Sequence, residues 1–309
     1  MEYRTLGKTG LKVSALSLGG SSLGGVFRRV EEAEAVRTVH TAFDLGINFV
    51  DTSPLYGVTK AETALGKALK GVPRDRYVLG TKTGRFDQDV FDFSAARTKA
   101  SVDESLKRLG VDYVDLIQAH DIEYRSLDQV IEDTLPALRE VQKAGKARFI
   151  GITGFPLKIF RYVLAHADVD VFLTYCHYTL WDTSAVDLAA EMEGKTLGVI
   201  NAAALGMGLL TRHGPPPWHP ATAEIKSVCA RVVEHCATRG IDIAELAVQF
   251  AVANSRFHTT LVGTADPEEV RRNVQAVERP MDRSLLEEVQ ELLAPIRNQT
   301  WIVGRPENN

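Results

Sequence analysis

Eight short apolar runs, beginning near residues 15, 47, 77, 113, 148, 169, 197 and 260, recur along this chain with helical segments between them. Segment 31–45 carries Ala33, Val36, Val39, Ala42 and Phe43 at helical spacing and stops at Gly46. Thr59-Lys60-Ala61-Glu62 reads as a capping box opening a helix that runs to Leu69. Further helices are expected over 94–109, 127–144, 157–165, 183–192, 222–238, 243–253, 267–276 and 283–296. Strands alternating with helices of this length imply right-handed crossovers and a parallel sheet. Eight such units suit a closed (β/α)8 TIM barrel. An open doubly wound sheet would want a GxGxxG turn after its first strand, and the glycine-rich segment 19–25 lacks that spacing. Before the barrel, runs 3–6 and 11–13 flank Gly7-Lys8-Thr9-Gly10 and read as an N-terminal β-hairpin. Helices after the last strand add to the C-terminal end. No linker composition interrupts the chain, so residues 1–309 are expected to form one domain.

Composition narrows the functional classes. Lys and Arg number 36 against 40 Asp and Glu, a net charge of -4, which gives no footprint for nucleic acid or an anionic membrane. No apolar stretch approaches the ~20 residues of a membrane span, and Met1-Glu2-Tyr3-Arg4 does not open a signal peptide. Cys176, Cys229 and Cys236 form no CxxC pair, so reduced thiols, a cytoplasmic setting and no metal site are expected.

In a barrel of this kind the chemistry sits where strands end. Asp51 follows Phe49-Val50, Lys82 follows Leu79-Gly80-Thr81, and His120 follows Ile117-Gln118-Ala119. Tyr56 lies in the loop after Asp51. A buried lysine beside a carboxylate and a tyrosine has a clear use: its charge lowers the phenol pKa from ~10, making Tyr56 an acid or base near neutrality. The carboxylate keeps the lysine charged, and a histidine can orient a substrate hydroxyl or carbonyl. Singly, each such residue is more often structural; four at successive strand ends are harder to dismiss.

Here the chain resembles the aldo-keto reductases, which exchange a hydride between carbonyls or alcohols and a nicotinamide cofactor. Asp51, Tyr56, Lys82 and His120 match that family's tetrad. The resemblance runs through Tyr3-Arg4-Thr5-Leu6-Gly7-Lys8-Thr9-Gly10, Gly46-Ile47-Asn48-Phe49-Val50-Asp51-Thr52-Ser53 and Phe149-Ile150-Gly151-Ile152-Thr153-Gly154. Phe91-Asp92-Phe93-Ser94-Ala95, His120-Asp121-Ile122-Glu123, Tyr175-Cys176-His177-Tyr178 and the loop 214–220 resemble the branch that oxidises L-galactose-type aldoses at C1. Members acting on L-fucose and D-threo-aldoses come next. The resemblance implies a small aldose substrate, a lactone product, and a monomer or homodimer without nucleic-acid or membrane partners.

It also implies a cofactor site. Met207, Gly208 and Leu210 match the loop around the pyrophosphate, Gly263 and Thr264 the start of the adenosine segment, and Asn273 an adenine contact. NADP-using members place a lysine and an arginine where this chain has Gly263 and Glu269. Glu269 would repel a 2′-phosphate and could accept from a free ribose hydroxyl, which points to NAD over NADP; Arg271 and Arg272 are the counter-argument. Thr153-Gly154 stands where Ser-Asn often grips the carboxamide, and Tyr175 where a glutamine is common, so Thr153 and Tyr175 are candidate carboxamide contacts. Phe155, His177 and Trp301 are candidate substrate contacts, while Trp218 and His219 sit in a proline-stiffened loop. Two other classes remain open at this point: a Schiff-base aldolase using Lys82 as nucleophile, and a cofactor-binding regulatory subunit.

Overall fold

The computed structural model describes residues 1–309, apart from the side chain of Glu193. Strands β1 (Tyr3–Thr5) and β2 (Lys12–Ser14) pair antiparallel, joined through one 3-10 turn at Gly7–Thr9. Gly7 takes a positive φ of 50° at a close approach, because a Cβ there would lie 2.3 Å from the backbone nitrogen of Gly198. The hairpin therefore plugs the base of the barrel, and Leu6, Leu11 and Val13 project into its floor with Phe49, Leu116, Val171 and Ile200.

Eight parallel strands follow: β3 (Leu16–Gly19), β4 (Phe49–Asp51), β5 (Val78–Thr83), β6 (Val114–Ala119), β7 (Ala147–Gly154), β8 (Val171–Tyr175), β9 (Gly198–Ala202) and β10 (Thr259–Gly263). They close as β10-β3-β4-β5-β6-β7-β8-β9, the (β/α)8 barrel that the alternation predicts. Several strands reach one to three residues further toward the C-terminal end than their apolar runs suggest. Those added positions carry Asp51, Lys82, Thr153 and Tyr175, polar or aromatic residues that hydropathy alone does not count as strand.

Between barrel and helices lies the large apolar core, with Val50, Leu79, Ile117, Ile150 and Phe172 facing Val39, Leu65, Val102, Leu138 and Phe160. A repeated device fixes the strand starts. Asp115 Oδ2 on β6 accepts the backbone N–H of Leu79 on β5, and Asp170 Oδ2, just before β8, accepts that of Ile150 on β7. Each aspartate is also paired with arginine: Asp115 with Arg74 and Arg148, Asp170 with Arg139. A second cluster, built from Phe155, Leu209, Leu210, Ile225, Cys229, Val289, Ile296 and Trp301, binds the C-terminal helices and tail to one side of the mouth.

Three local expectations need correction. Thr59 caps nothing: its φ is 71°, and Glu62, buried, instead takes the Thr81 hydroxyl and Arg108 Nε at 2.6 Å each. The helix expected over 183–192 begins at Ala185, since the preceding segment is held in a turn by Thr183 N–H to Asn298 Oδ1. The last helix runs Arg283–Leu292 and gives way to a 3-10 turn at Ala294–Ile296, because Pro295 removes a donor. No described helix is long and apolar enough to cross a membrane.

Candidate active site

Alternation along the strands sends Asp51, Gly80, Lys82, Gln118, Gly151 and Thr153 into the barrel. Register sets Asp51 against Gly80, Lys82 against Gln118, and Gln118 against Gly151. The two glycines are what make this polar layer fit. A Cβ on Gly80 would lie 2.6 Å from Asp51 Oδ2, and one on Gly151 would lie 3.1 Å from Gln118 Cγ. Lys82 Nζ donates to Asp51 Oδ1 and, at 2.7 Å, to the carbonyl of Thr52. Gln118 Nε2 donates to the other carboxylate oxygen, Oδ2, at 2.7 Å. Both oxygens of a buried carboxylate are thus satisfied, the condition under which a buried ion pair is tolerated. Burial alone would lower the Lys82 pKa; Asp51 and Tyr56 outweigh it and leave the ammonium above its ordinary value.

Tyr56 comes from the loop after β4. Gly57, Val58 and Thr59 all take positive φ there, and Gly57 lies against Gly24, where a Cβ would meet the carbonyl oxygen. Such a backbone is strained for β-branched residues and is held by its surroundings. The loop places the phenol ring 5.7 Å from the His120 ring at 88°, with Lys82 Nζ 5.1 Å from the phenol centroid. One expectation is reversed here. Burial pushes the Tyr56 phenol above its ordinary value; Lys82 pulls it down, but Asp51 and Asp121 oppose Lys82. Without a ligand the phenol keeps its proton.

His120, buried, is pushed down to about 3 by burial, with Lys82 and Arg85 adding to that effect against Asp121. Its Nδ1 lies 2.9 Å from Ser53 Oγ and its Nε2 lies 3.7 Å from Asp121 Oδ2. Asp121 takes a positive φ of 51° and is gripped by Arg85 Nη1 at 2.6 Å. Thr153 Oγ1 accepts the Asp121 backbone N–H at 3.2 Å, so Thr153 anchors this turn as well as facing the mouth.

The candidate substrate residues converge. Phe155 lies 5.1 Å from the Tyr175 ring, 4.5 Å from His177 and 5.0 Å from Trp301, stacked on the last. His177 Nδ1 sits 3.1 Å from both Asp182 Oδ2 and Ser184 Oγ, while its Nε2 and Trp301 Nε1 are buried without partners. His219 meets Trp301 edge-on, and the exposed Trp218 lies 5.9 Å from Phe27 across the mouth. The tail carrying Trp301 is tied down by Asn308 Nδ2, which donates to the carbonyls of Glu123 and Arg125 at 2.8 and 3.0 Å.

The opposite side of the mouth is lined largely by glycine backbone and short polar side chains. Gly19 and Gly263 end β3 and β10 side by side, and a Cβ on Gly263 would stand 3.1 Å from Ser21 Oγ. Met207 and Gly208 take φ of 51° and 104°, turning the 206–208 segment past Gly214. Leu210 is fully buried in the second core cluster with its N–H bound to the Leu205 carbonyl, so it shapes this loop from beneath. Beyond β10, Asp266 caps the helix Pro267–Glu278. Thr264 Oγ1 donates to Glu269 Oε2, and Asn273 borders a crevice with Leu18, Val262 and Thr264. Arg271 pairs with Glu268 at 3.2 Å, and Arg272 lies 4.0 Å from Glu269. A glycine floor, backbone-rich loops and a helix N-terminus fit an extended dinucleotide.

Gln118, Ser53, Asp182 and Asn308 escape a reading of the sequence. Gln118 had a usable signal, since it lies two residues before His120 and so shares its inward register. Ser53 and Asn308 had none, because the partners that give them a role at the mouth, His120 and Glu123, are 67 and 185 residues away.

A barrel whose mouth carries Asp51, Lys82, Tyr56 and His120 beside a glycine floor defines an oxidoreductase site, and the comparisons place the chain within one family. The aldo/keto reductase family model matches residues 15–294, and the chain belongs to that family. It is 50% identical to the L-galactose dehydrogenase of Arabidopsis thaliana, over 100% of this chain and 99% of that one. The D-threo-aldose 1-dehydrogenase of a Pseudomonas species is 29% identical, with 86% of this chain and 90% of the relative covered. Among solved structures, the holo form of an aldo-keto reductase from Bacillus halodurans superposes with a TM-score of 0.80 at 28% identity, covering all of both chains.

Proposed function

We propose that this protein oxidises the C1 hydroxyl of an L-galactose-type aldose to the lactone, with NAD as hydride acceptor. The observation that carries the reading is the Tyr56 phenol held between the Lys82 cation and the His120 ring, in a chain half identical to an L-galactose dehydrogenase along its full length. Bound in the glycine-floored half of the mouth, the nicotinamide ring supplies a carbon that accepts a hydride. Thr153 and Tyr175 would hold its carboxamide, Met207, Gly208 and Gly263 would leave backbone room for the pyrophosphate, and Thr264, Glu269 and Asn273 would take the adenosine end. His120 orients the C1 hydroxyl. Tyr56, as phenolate, takes the hydroxyl proton while the C1–H bond breaks, and Lys82 stabilises the phenolate that must form first. Asp51, clamped by Gln118, holds Lys82 in place. The same residues run the reaction backwards with the phenol as donor.

Trp301, backed by the buried Phe155 ring it stacks on, offers an apolar surface to a sugar ring, and His177 a polar edge to it. The Glu269 carboxylate repels a 2′-phosphate bearing about two negative charges, which favours NAD over NADP. A small soluble sugar substrate agrees with a cytoplasmic enzyme, and ascorbate biosynthesis is one route that uses such an oxidation.

The test is the absorbance of reduced nicotinamide, followed with purified protein, L-galactose or L-fucose, and NAD or NADP. Turnover of L-galactose with NAD, and trapping of the lactone by hydroxylamine, is the expected result. Absence of turnover with either sugar and either cofactor would overturn the assignment. Borohydride trapping of Lys82 with substrate would indicate the aldolase reading instead.

A further inference from the structure

His120 offers its two ring nitrogens to different neighbours, and one placement of hydrogens satisfies both. Ser53 is fully buried, with its Oγ 2.9 Å from His120 Nδ1. The same oxygen accepts the backbone N–H of Leu55 at 3.1 Å. With that lone pair occupied, the hydroxyl hydrogen needs an acceptor, and among the described hydrogen bonds Nδ1 is the one within reach. Were Nδ1 protonated, the Ser53 hydroxyl would become a buried donor with nowhere to point, a costly state. At the opposite edge of the ring, Nε2 faces the Asp121 carboxylate at 3.7 Å. That distance is too long for a hydrogen bond, yet a lone pair there would face negative charge, whereas an N–H faces it favourably. The ring is neutral in this environment and so has a single hydrogen to place.

We propose that Ser53 is a positioning residue that fixes His120 in the Nε2–H tautomer, making Nε2 a standing hydrogen-bond donor to the reacting oxygen. The inference rests on the reading of His120 as the group that meets that oxygen. Its consequence is specific. A fixed donor stabilises an oxygen that gains negative charge, which happens in both directions of hydride transfer. The other tautomer would turn a lone pair toward the same oxygen and repel it. Asp121, held by Arg85 in its left-handed turn, supports the same tautomer from the far side.

The experiment is nitrogen-15 NMR of ring-labelled histidine in the full-length protein without substrate, with His120 assigned by its loss in His120→Gln. In the wild type the His120 ring should show the Nε2–H signature from pH 5 to 9 without titrating, with that tautomer favoured about tenfold or more. Ser53→Ala should give an exchange-averaged signal and lower kcat about threefold to tenfold, leaving the dissociation constant for NAD unchanged. Ser53→Thr, which keeps the hydroxyl, should restore both. A protonated Nδ1 in the wild type would overturn the proposal, and so would an unaltered His120 signal in Ser53→Ala. Should Ser53→Ala not fold, Ser53→Cys carries the same test, since its weaker S–H donor should loosen the tautomer preference, and an unaltered His120 signal there would overturn the proposal. The tautomer is read without turnover, so a failure to oxidise sugars would count against the proposed reaction and not against this assignment.

Discussion

Replacing Gln118 tests whether the polar layer beneath the mouth is built around Asp51. Gln118 Nε2 gives Asp51 Oδ2 its described hydrogen bond at 2.7 Å, in a place where neither residue is more than 2% exposed. Gln118→Met keeps the length and removes the donor, so a charged oxygen is left buried without a partner. A hydrogen bond to a buried charge contributes ~1.5–3 kcal/mol, and an orphaned charged acceptor costs at the upper end of that range. For a chain of 309 residues about 3 kcal/mol, the upper end of that range, corresponds to a fall in Tm of about 4–5 °C. Gln118→Glu is harsher at equal volume, because it turns the donor into a second carboxyl within hydrogen-bond distance of the first. Two like charges that close cannot both ionise, so the pair must hold a proton between them or move apart. Thermal unfolding, followed with kcat in the same preparations, is the assay. The expected order of kcat is wild type, then Gln118→Met, then Gln118→Glu, with the last down about a hundredfold or more as Lys82 loses its fixed partner. Melting temperatures and kcat within error of wild type for both variants would refute the clamp.

Other outcomes follow from the same geometry. Because burial holds the Tyr56 phenol above its ordinary value, the rate of oxidation should climb with pH through the alkaline range as phenolate forms; Tyr56→Phe should lose ~10²–10⁴ in kcat and that climb with it, read from pH–rate profiles. Buried neutral His120 lies near 3 when folded and near 6.5 when unfolded, so the unfolded chain binds the extra proton first. Its contribution is whole above about pH 6.5 and is lost as pH falls toward 3; urea midpoints measured over that window should fall less steeply in His120→Gln than in the wild type. Glu269→Lys should raise kcat/KM for NADP relative to NAD about tenfold or more, by exchanging repulsion of the 2′-phosphate for attraction. An unchanged ratio would show that Glu269 does not meet the ribose.

The barrel was legible because eight apolar runs alternate with helices, a pattern that local hydropathy records. The tetrad was legible for a related reason: Asp51, Lys82 and His120 each follow directly on a buried run, so the strand's end locates them. What the sequence hid depends on partners brought close by barrel closure. Gly80 and Gly151 look like breaks in strands, and only the register shows that they make room for Asp51 and Gln118. Asn308 looks like a frayed terminus, yet it bonds to carbonyls 183 and 185 residues back in sequence and ties down the tail that carries Trp301. The Tyr56 phenol was misjudged because Lys82 is visible from sequence spacing while the depth of burial is not. Desolvation, a property of the whole fold, outweighs the neighbouring cation.

The most direct measurement of the proposed chemistry is the fate of deuterium from L-galactose labelled at C1. With the wild-type protein and NAD, the label should appear in the reduced nicotinamide, with a slower rate than for unlabelled sugar, and Tyr56→Phe should abolish the transfer while still binding cofactor. Deuterium that washes into water, or stays on the sugar while the cofactor remains oxidised, would contradict hydride transfer from C1 at this site.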